Sequence, residues 1–508
     1  MSEQKPAALP PQLDENEVIQ RKKEKIQALR DLGRNPYDNT FRPDTQVAAF
    51  RAACDGIPKE ELEKPGKPQR FALAGRVMAL RMMGKLAFGH LKDETGRLQV
   101  VFTKEYLGEG FDFFKKFVDI GDIVGVTGEA YVTKTGELSL LIYSVHLLTK
   151  NVRPLPEKFH GLTDKETRYR QRYLDLIMND ESLEVFKKRV KIVNFVRDWM
   201  NRADFLEVET PMMHPLVSGA AARPFVTHHN TLDMQLYMRI APECYLKRLL
   251  VGGMGKVYEI NRNFRNEGIS IKHNPEFTMM EFYWPYATYT DLMSFTEEMI
   301  SSLAVAVTGG TKVTYQGREI EFAAPWKRLT IEESLVEHGV CTADEAKTRD
   351  GLIAAALRHG MDKDHIGKMS YHKLLVELFE EKVEEHLWQP TFITRYPTEV
   401  SPLARRNDAE PDYTDRFEFF IACREIGNAF SEQNDPQSQY EAFAKQVEEK
   451  KKGNAEAVDM DTDYIRALEY GMPPAGGEGI GIDRLVMLLT DAPSIRDVIL
   501  FPLLRSEQ

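Results

Sequence analysis

The sequence predicts an α+β protein, with a small β-barrel ahead of a larger region that mixes helices and strands. Three observations predict it. Five short strand-like segments separated by turn residues fill residues 69–150. A stiff stretch, Asn151-Val152-Arg153-Pro154-Leu155-Pro156, follows them. Beyond it, an amphipathic helical stripe leads into a short strand and then a polar hairpin.

In chain order, residues 1–68 come first and are rich in charge. The opening MSEQKPAALPPQLDENE has no apolar core and reads as a tail, not a signal peptide. Ile19, Ile26 and Leu29 then share one helical stripe with a basic face opposite. That face suits either plain solvation or contact with backbone phosphates.

The five strands are Ala72–Arg81, Leu86–Lys92, Arg97–Phe102, Ile123–Val132 and Leu138–Leu148. Asp93-Glu94-Thr95-Gly96, Asp119-Ile120-Gly121-Asp122 and Lys134-Thr135-Gly136-Glu137 supply the turns. Such a span fits a Greek-key barrel of the OB type, whose face binds oligonucleotides. Residues 151–178 read as a linker, and 179–508 as one further domain. There Asp180 is expected to cap a helix with the stripe Leu183, Phe186, Val190, Val193, Val196 or Arg197, and Met200. Phe205-Leu206-Glu207-Val208-Glu209-Thr210-Pro211 reads as a strand that the proline ends. A helical pattern returns at about residues 330–387, an insertion within the second domain.

Composition narrows the class. Of 508 residues, 42% are hydrophobic and 29% charged, an ordinary globular balance that excludes wholesale disorder. No apolar run reaches the roughly 20 residues of a membrane helix, so no membrane partner is expected. Cys54, Cys244, Cys341 and Cys423 form no CxxC pair and no zinc spacing, which points to a reducing, cytoplasmic setting. A net charge of −11 argues against a DNA coater but leaves room for local basic patches.

Several motifs are missing: no P-loop, no GxGxxG, no GxSxG and no HExxH occurs. His365-Ile366-Gly367-Lys368-Met369-Ser370 fuses two signatures that belong far apart, and reads as chance. The most informative segment is Val257–Glu267, continued through Gly268–Pro275 into Glu276–Tyr283. Read as a hairpin, it puts Asn263, Arg265 and Glu267 on one face of the first strand. Phe277, Met279, Glu281 and Tyr283 share a face of the return strand. If the two faces coincide, arginine, carboxylates and aromatics meet, which suits a ligand better than solvent.

These residues carry a resemblance. The helix and strand ending at Pro211, the hairpin around Phe264-Arg265-Asn266-Glu267, and Gly479-Ile480-Gly481-Ile482-Asp483-Arg484-Leu485 resemble the three motifs of class II aminoacyl-tRNA synthetases. Within the class, Arg262–Gly268 and His273–Glu281 resemble lysyl-tRNA synthetases of bacterial type. The resemblance covers nearly the whole chain beyond the tail. It implies an antiparallel catalytic sheet flanked by helices, a homodimer, and ligation of L-lysine to tRNA(Lys) with ATP and Mg²⁺. It also explains why no nucleophile motif is found, since adenylate formation needs positioning and charge neutralisation.

Residue by residue, the resemblance makes Arg265 and Arg484 the catalytic cations. It assigns Arg265, Glu267, His273, Asn274, Phe277, Glu425 and Arg484 to ATP. Lysine falls to Gly219, Glu243, Arg265, Glu281, Tyr283, Asn428 and Glu432. Glu243 follows Pro242, so from spacing alone a helix start is the preferred reading, and the resemblance reverses it. Glu418 and Glu425 are implied Mg²⁺ ligands in Arg416–Asn428, read as one apolar strand that needs a bulge to bring them to one side. For Glu418 an ion pair is the alternative. Arg81, Phe88, Gln99 and Glu137 resemble anticodon readers, although barrel core would explain Phe88 and strand polarity would explain Arg81 and Gln99. Glu478 departs from the apolar residue expected before Gly479 and is read as an extra charge near the nucleotide. Three rivals are weighed, one of them a paralogue that lysylates a protein and would not need an anticodon barrel. An aspartyl or asparaginyl enzyme should show the substrate side chain cations or amides, where this chain offers Glu243 and Glu432. A non-catalytic RNA-binding paralogue would not need Arg265, Glu267, Glu425 and Arg484.

Overall fold

The computed structural model describes residues 15–62, 70–156, 162–453 and 458–506. The expected tail, residues 1–14, lies outside them. The chain forms two compact units that divide at residue 161.

In the first unit, β1 (Arg70–Met83), β2 (Leu86–Lys92), β3 (Arg97–Thr103), β4 (Ile123–Val132) and β5 (Leu138–Thr149) close in the order β1-β2-β3-β5-β4. Only β3 and β5 pair in parallel. Alternation drives closure: Leu73, Val77, Ala87, Leu91, Val100, Val126 and Ile142 point inward. A short helix, Gly110–Phe117, adds Phe111, Phe114 and Phe117 to this core, with Phe114 stacked on Phe102 at 4.0 Å.

The N-terminal helix spans Glu15–Asp31 and buries Ile26 and Leu29 of the predicted stripe, with Ile19 half-buried. It also buries Lys22, which donates to Asn151 Oδ1 at 2.5 Å, while Lys25 pairs with Asp119 at 2.7 Å. The basic face is therefore partly committed to the barrel, and Arg21, Lys23 and Arg30 remain exposed. Lys150 is the anchor of this corner. Fully buried, it pairs with Asp122 at 2.7 Å and Asp119 at 2.5 Å, and donates to the Phe117 carbonyl at 2.7 Å.

In the second unit, residues 162–178 are not connective throughout. Lys165–Arg170 and Arg172–Met178 are helices, and buried Arg172 donates to the carbonyls of Leu500 and Arg496 at 3.0 Å each. The long helix runs Asp180–Arg202, with Asn179 rather than Asp180 at the cap position. Ile192 is buried, whereas Val190, expected in the stripe, is 59% exposed. The following strand is shorter than predicted: β6 is only Leu206–Glu207, because it pairs only with Val257 and Tyr258 before Pro211. β7 (Met213–His214), β8 (Val226–His229) and β9 (Met234–Met238) make a small sheet in the order β7-β9-β8.

The main sheet takes in β10 (Val257–Phe264), β11 (Glu276–Pro285), β14 (Lys327–Thr330), β15 (Thr391–Thr394), β16 (Arg416–Phe420), β17 (Glu425–Ser431) and β18 (Ala475–Gly481), with β6. Its order is β14-β15-β16-β17-β18-β11-β10-β6. The six central strands are antiparallel, as expected. The edge strands β14 and β6 pair in parallel, so the sheet as a whole is mixed. A hairpin, β12 (Lys312–Tyr315) and β13 (Arg318–Glu321), stands apart. The helix Tyr289–Thr308 covers one sheet face, burying Leu292, Met299 and Leu303 with Phe282, Phe419 and Ile480. Helices Ile331–Glu337, Arg349–Arg358, Lys363–Ile366 and Tyr371–Lys382 occupy the predicted helical stretch around their own core. His365 and Ile366 end the third of these helices and Gly367–Ser370 turn into the fourth, which Ser370 caps by accepting from the Lys373 amide, so the fused signature is structural. Among the described residues, no helix is long and apolar enough to cross a membrane.

Lys150→Met should leave Asp122 buried without a cation. The expected cost is about 3–5 kcal/mol of stability in the first unit, read as a lower denaturant midpoint.

Candidate active site

The exposed side of the sheet is the floor of a cavity of about 280 Å³. Strand register decides what faces it. Asn263 lies opposite Phe277, Asn261 opposite Met279 and Glu259 opposite Glu281, so the two predicted hairpin faces do coincide. Glu281 lies beside Gly479 on β18, and Gly479 beside Asn428 on β17. Gly477, Gly479 and Gly481 therefore form a stripe without side chains between two functional strands. At Gly477 a Cβ would collide with Glu432 Oε1 and the Tyr283 ring, so only glycine fits.

One end of the cavity is basic. Arg265 follows β10, its amide donating to the Pro275 carbonyl at 2.9 Å and its guanidinium lying 5.2 Å from the Phe277 ring centre. Arg484, on the helix Ile482–Leu489, reaches across to Glu425 at 3.4 Å. Lys272 and His273 complete this end. Burial, with the charges of Arg484, Lys272 and Arg265, lowers the His273 pKa and favours the neutral ring against the pull of Glu267. Two buried polar atoms here, Arg265 Nε and Asn274 Oδ1, have no hydrogen-bond partner. Such orphans mark where a ligand supplies the missing group.

The other end is acidic. Glu243 opens the helix Glu243–Val251, so both the helix-start reading and the cavity reading hold. Glu281, Tyr283 and Glu432 are buried beside it. Burial, then the like charge of Glu243, pushes the Glu281 carboxyl up to about 8. Burial also pushes Glu432 up to about 8, with Glu243 adding to the effect and Lys247 opposing it. Gly219, with φ at +90°, brings its backbone against Ala241 and Glu243. Every residue assigned above to ATP or lysine thus lines this one cavity: Gly219, Glu243, Arg265, Glu267, His273, Asn274, Phe277, Glu281, Tyr283, Glu425, Asn428, Glu432 and Arg484.

Glu418 does not line it. The segment Arg416–Asn428 is a hairpin and not the single strand expected, because Ala422 and Cys423 take left-handed backbone (φ 52° and 59°) and reverse the chain. An irregular register at Phe419/Phe420 sets Glu425 opposite Phe420 and Asn428 opposite Glu418. Glu418 pairs with Arg416 at 2.6 Å and accepts from Tyr396 at 2.8 Å, the ion-pair alternative. Burial pushes its carboxyl up to about 7 against the pull of Arg416, and Glu425 adds to the shift.

Glu478 borders the cavity, but its carboxyl is turned away from the basic end, contrary to the extra charge expected there. Its side chain leaves the opposite sheet face and meets Thr296 Oγ1 at 2.7 Å, and burial pushes its carboxyl well above the ordinary range. Residues that sequence reasoning missed include Lys247, Lys272 and Asp483. The signals were present: Lys247 stands one helical turn after Glu243, Lys272 precedes His273, and Asp483 precedes Arg484.

On the barrel, Arg81 lies opposite Phe88, and Gln99 opposite His90. Gln99 donates to Glu137 at 2.5 Å and accepts from Ser139 at 3.0 Å. Phe88 is half-buried between the inward Ala87 and Gly89, so it belongs to the outer face and not to the core. His90 shares that face and was not predicted.

Comparison with known proteins agrees with this architecture. A family model described as tRNA synthetases class II (D, K and N) matches residues 164–505, and one for an OB-fold nucleic acid binding domain matches residues 71–148. The chain belongs to the class II tRNA synthetases of this D, K and N group. It is similar to curated proteins named lysine–tRNA ligase. That of Vesicomyosocius okutanii subsp. Calyptogena okutanii is 52% identical, over 97% of this chain and 99% of the relative. That of Legionella pneumophila (strain Lens) is 53% identical, over 97% and 98%. That of Magnetococcus marinus is 52% identical, over 98% of each.

Gly477→Ala should force Glu432 and Tyr283 out of place. The expected cost is about 1–3 kcal/mol of stability, the usual penalty of overpacking, measured by chemical denaturation.

Proposed function

We propose that this chain ligates L-lysine to tRNA(Lys) with ATP, through a lysyl-adenylate. The observation that carries this is the acidic end of the cavity. Glu243, Glu281 and Glu432 are buried together there, at the far end of a cavity whose other end holds Arg265, Lys272 and Arg484. Buried carboxylates call for a cationic partner, and lysine brings two ammonium groups. An aspartate or asparagine side chain would add charge or an amide to a region already acidic.

In this reading Arg265 holds the lysine carboxylate against the α-phosphate, its bare Nε supplying a donor. Glu267 accepts from the adenine amino group, and Phe277 stacks on the ring with Arg484 opposite. His273 and Asn274 hold the phosphates. Glu281 and Asn428 hold the α-amino end, while Glu243, Tyr283 and Glu432 hold the side chain, with Gly219 closing over it. Arg265 and Arg484 stabilise charge as the carboxylate attacks the α-phosphate and pyrophosphate leaves. A terminal ribose hydroxyl of the tRNA then takes the lysyl group and AMP departs.

Among the described residues no three metal-ligating side chains cluster, so a divalent cation here would share ligand phosphates with one or two carboxylates. Glu425 lines the cavity, and its negative charge raises the pKa of nearby Glu418, a strain that a cation would relieve. Glu425 would hold Mg²⁺ with Glu418 in support. The ion would supply charge neutralisation to the phosphates.

Arg81, Phe88, Gln99 and Glu137 form the anticodon-reading face of a domain over residues 69–150, and 162–508, with the helices Lys165–Arg170 and Arg172–Met178, form the catalytic domain. Val190, Leu206 and Met213, 59%, 50% and 52% exposed, supply apolar surface for a homodimer. The cytoplasm is the compartment that suits the family and the free thiols.

An amino-acid screen by ATP–pyrophosphate exchange tests the reading. Lysine alone is expected to support strong exchange, and dominant exchange with aspartate or asparagine would refute it. Glu243→Gln and Glu432→Gln should each weaken lysine binding by about 2–5 kcal/mol, seen as a raised lysine KM with the ATP KM little changed. A pH effect follows as well. With pKa values raised to about 8, Glu281 and Glu432 hold protons near pH 7 in the empty cavity. Lysine binds the ionised forms and must expel those protons. Its KM should therefore fall as pH rises and level off above about 8, with proton release measurable by calorimetry in two buffers.

A further inference from the structure

Lys247 lies fully buried one helical turn after Glu243. Its ammonium contacts Glu243 Oε1 at 2.5 Å and also Glu432 Oε2. It sits 5.4 Å from the Phe430 ring centre and 6.0 Å from that of Tyr283. All four partners line the cavity, and Lys247 itself does not. Around it stand Cys244 on the same helix and Tyr464 on the helix Thr462–Glu469, whose hydroxyl has no hydrogen-bond partner. Glu281 lies beyond Tyr283, bonded to it at 3.3 Å. The neighbouring Arg248 is taken up by Asp461 at 2.8 Å. Among the described residues, Lys247 is therefore the cation that compensates Glu243 and Glu432.

We propose that Lys247 is a positioning residue for the substrate side chain: a resident cation behind the cavity that holds Glu243 and Glu432 side by side for a second, incoming ammonium. This rests on the cavity being the lysine site. Two features support it. Lys247 takes Oε2 of Glu432 and leaves Oε1 above Gly477, toward the cavity. The charges also close: Glu243, Glu281 and Glu432 against Lys247 and the two ammonium groups of lysine. Without Lys247, nothing would oppose the burial and the Glu243 charge that raise Glu432, and lysine would have to displace its proton up to a higher pH.

Lysine-dependent exchange is measured across pH for the full chain, native and with Lys247→Met, Lys247→Gln or Glu432→Gln. Both Lys247 variants are expected to raise the lysine KM about 30-fold near pH 7, with the ATP KM within about threefold. The pH at which lysine KM levels off should move up by about one unit, which lost packing alone would not do. A lysine KM within about threefold of native in a folded variant, or a rise equal at every pH, overturns the proposal. If the Met variant does not fold, the Gln variant, which keeps a hydrogen-bond donor, carries the comparison. Glu432→Gln separates the two ideas. If it leaves lysine KM unmoved, the cavity reading fails. If it raises KM while the Lys247 variants do not, only the role of Lys247 fails.

Discussion

The carboxylate of Asp483 ties the catalytic unit together. It accepts from the Thr278 amide on β11 at 2.7 Å and pairs with Arg189 on the long helix at 2.5 Å, while Arg189 also donates to Thr278 Oγ1 at 3.1 Å. Three segments far apart in the chain meet at this buried charge. The register of β11 against β18 depends on that junction, and register decides which side chains face the cavity. A slip by one residue would turn Glu281 and Tyr283 into the core and Phe282 into the site. The charged pair is buried, so its loss would be costly, and the cost enforces one alignment.

That alignment lets opposite charges coexist in one small space. Arg265 and Arg484 gather at one end and Glu243, Glu281 and Glu432 at the other, with the glycine stripe of β18 between them. A side chain on that stripe would fill the gap. Backbone alone keeps the two fields apart while leaving room for a ligand that joins them. An elongated molecule, anionic at one end and cationic at the other, matches this pattern along its whole length.

The barrel was legible because its signal is local. Alternation and turn residues set strand limits at Leu86–Lys92 and Ile123–Val132 that the structure repeats. The cavity was legible for a different reason: its residues cluster in motifs that resemble a known family. What sequence did not reveal depends on distant partners. Lys22 and Lys150 look like surface lysines until Asp119, Asp122 and Asn151 come to them. Val190 fits the helical stripe by spacing, yet faces outward because the helix turns Ile192 to the core. The reversal at Ala422-Cys423 carries no glycine, asparagine or proline to announce it, so Arg416–Asn428 read as one strand.

Glu478 shows how one short motif can answer two unrelated demands. Along β18 the odd positions, Gly477, Gly479 and Gly481, face the ligand space, and Glu478 and Ile480 face the helix behind. The first set answers to chemistry and the second to fit against Tyr289–Thr308. A glutamic acid can thus stand where an apolar residue is expected, provided it stays uncharged and finds Thr296. The two sets meet separate physical constraints, so a motif written as a single string overstates what catalysis demands and understates what packing permits.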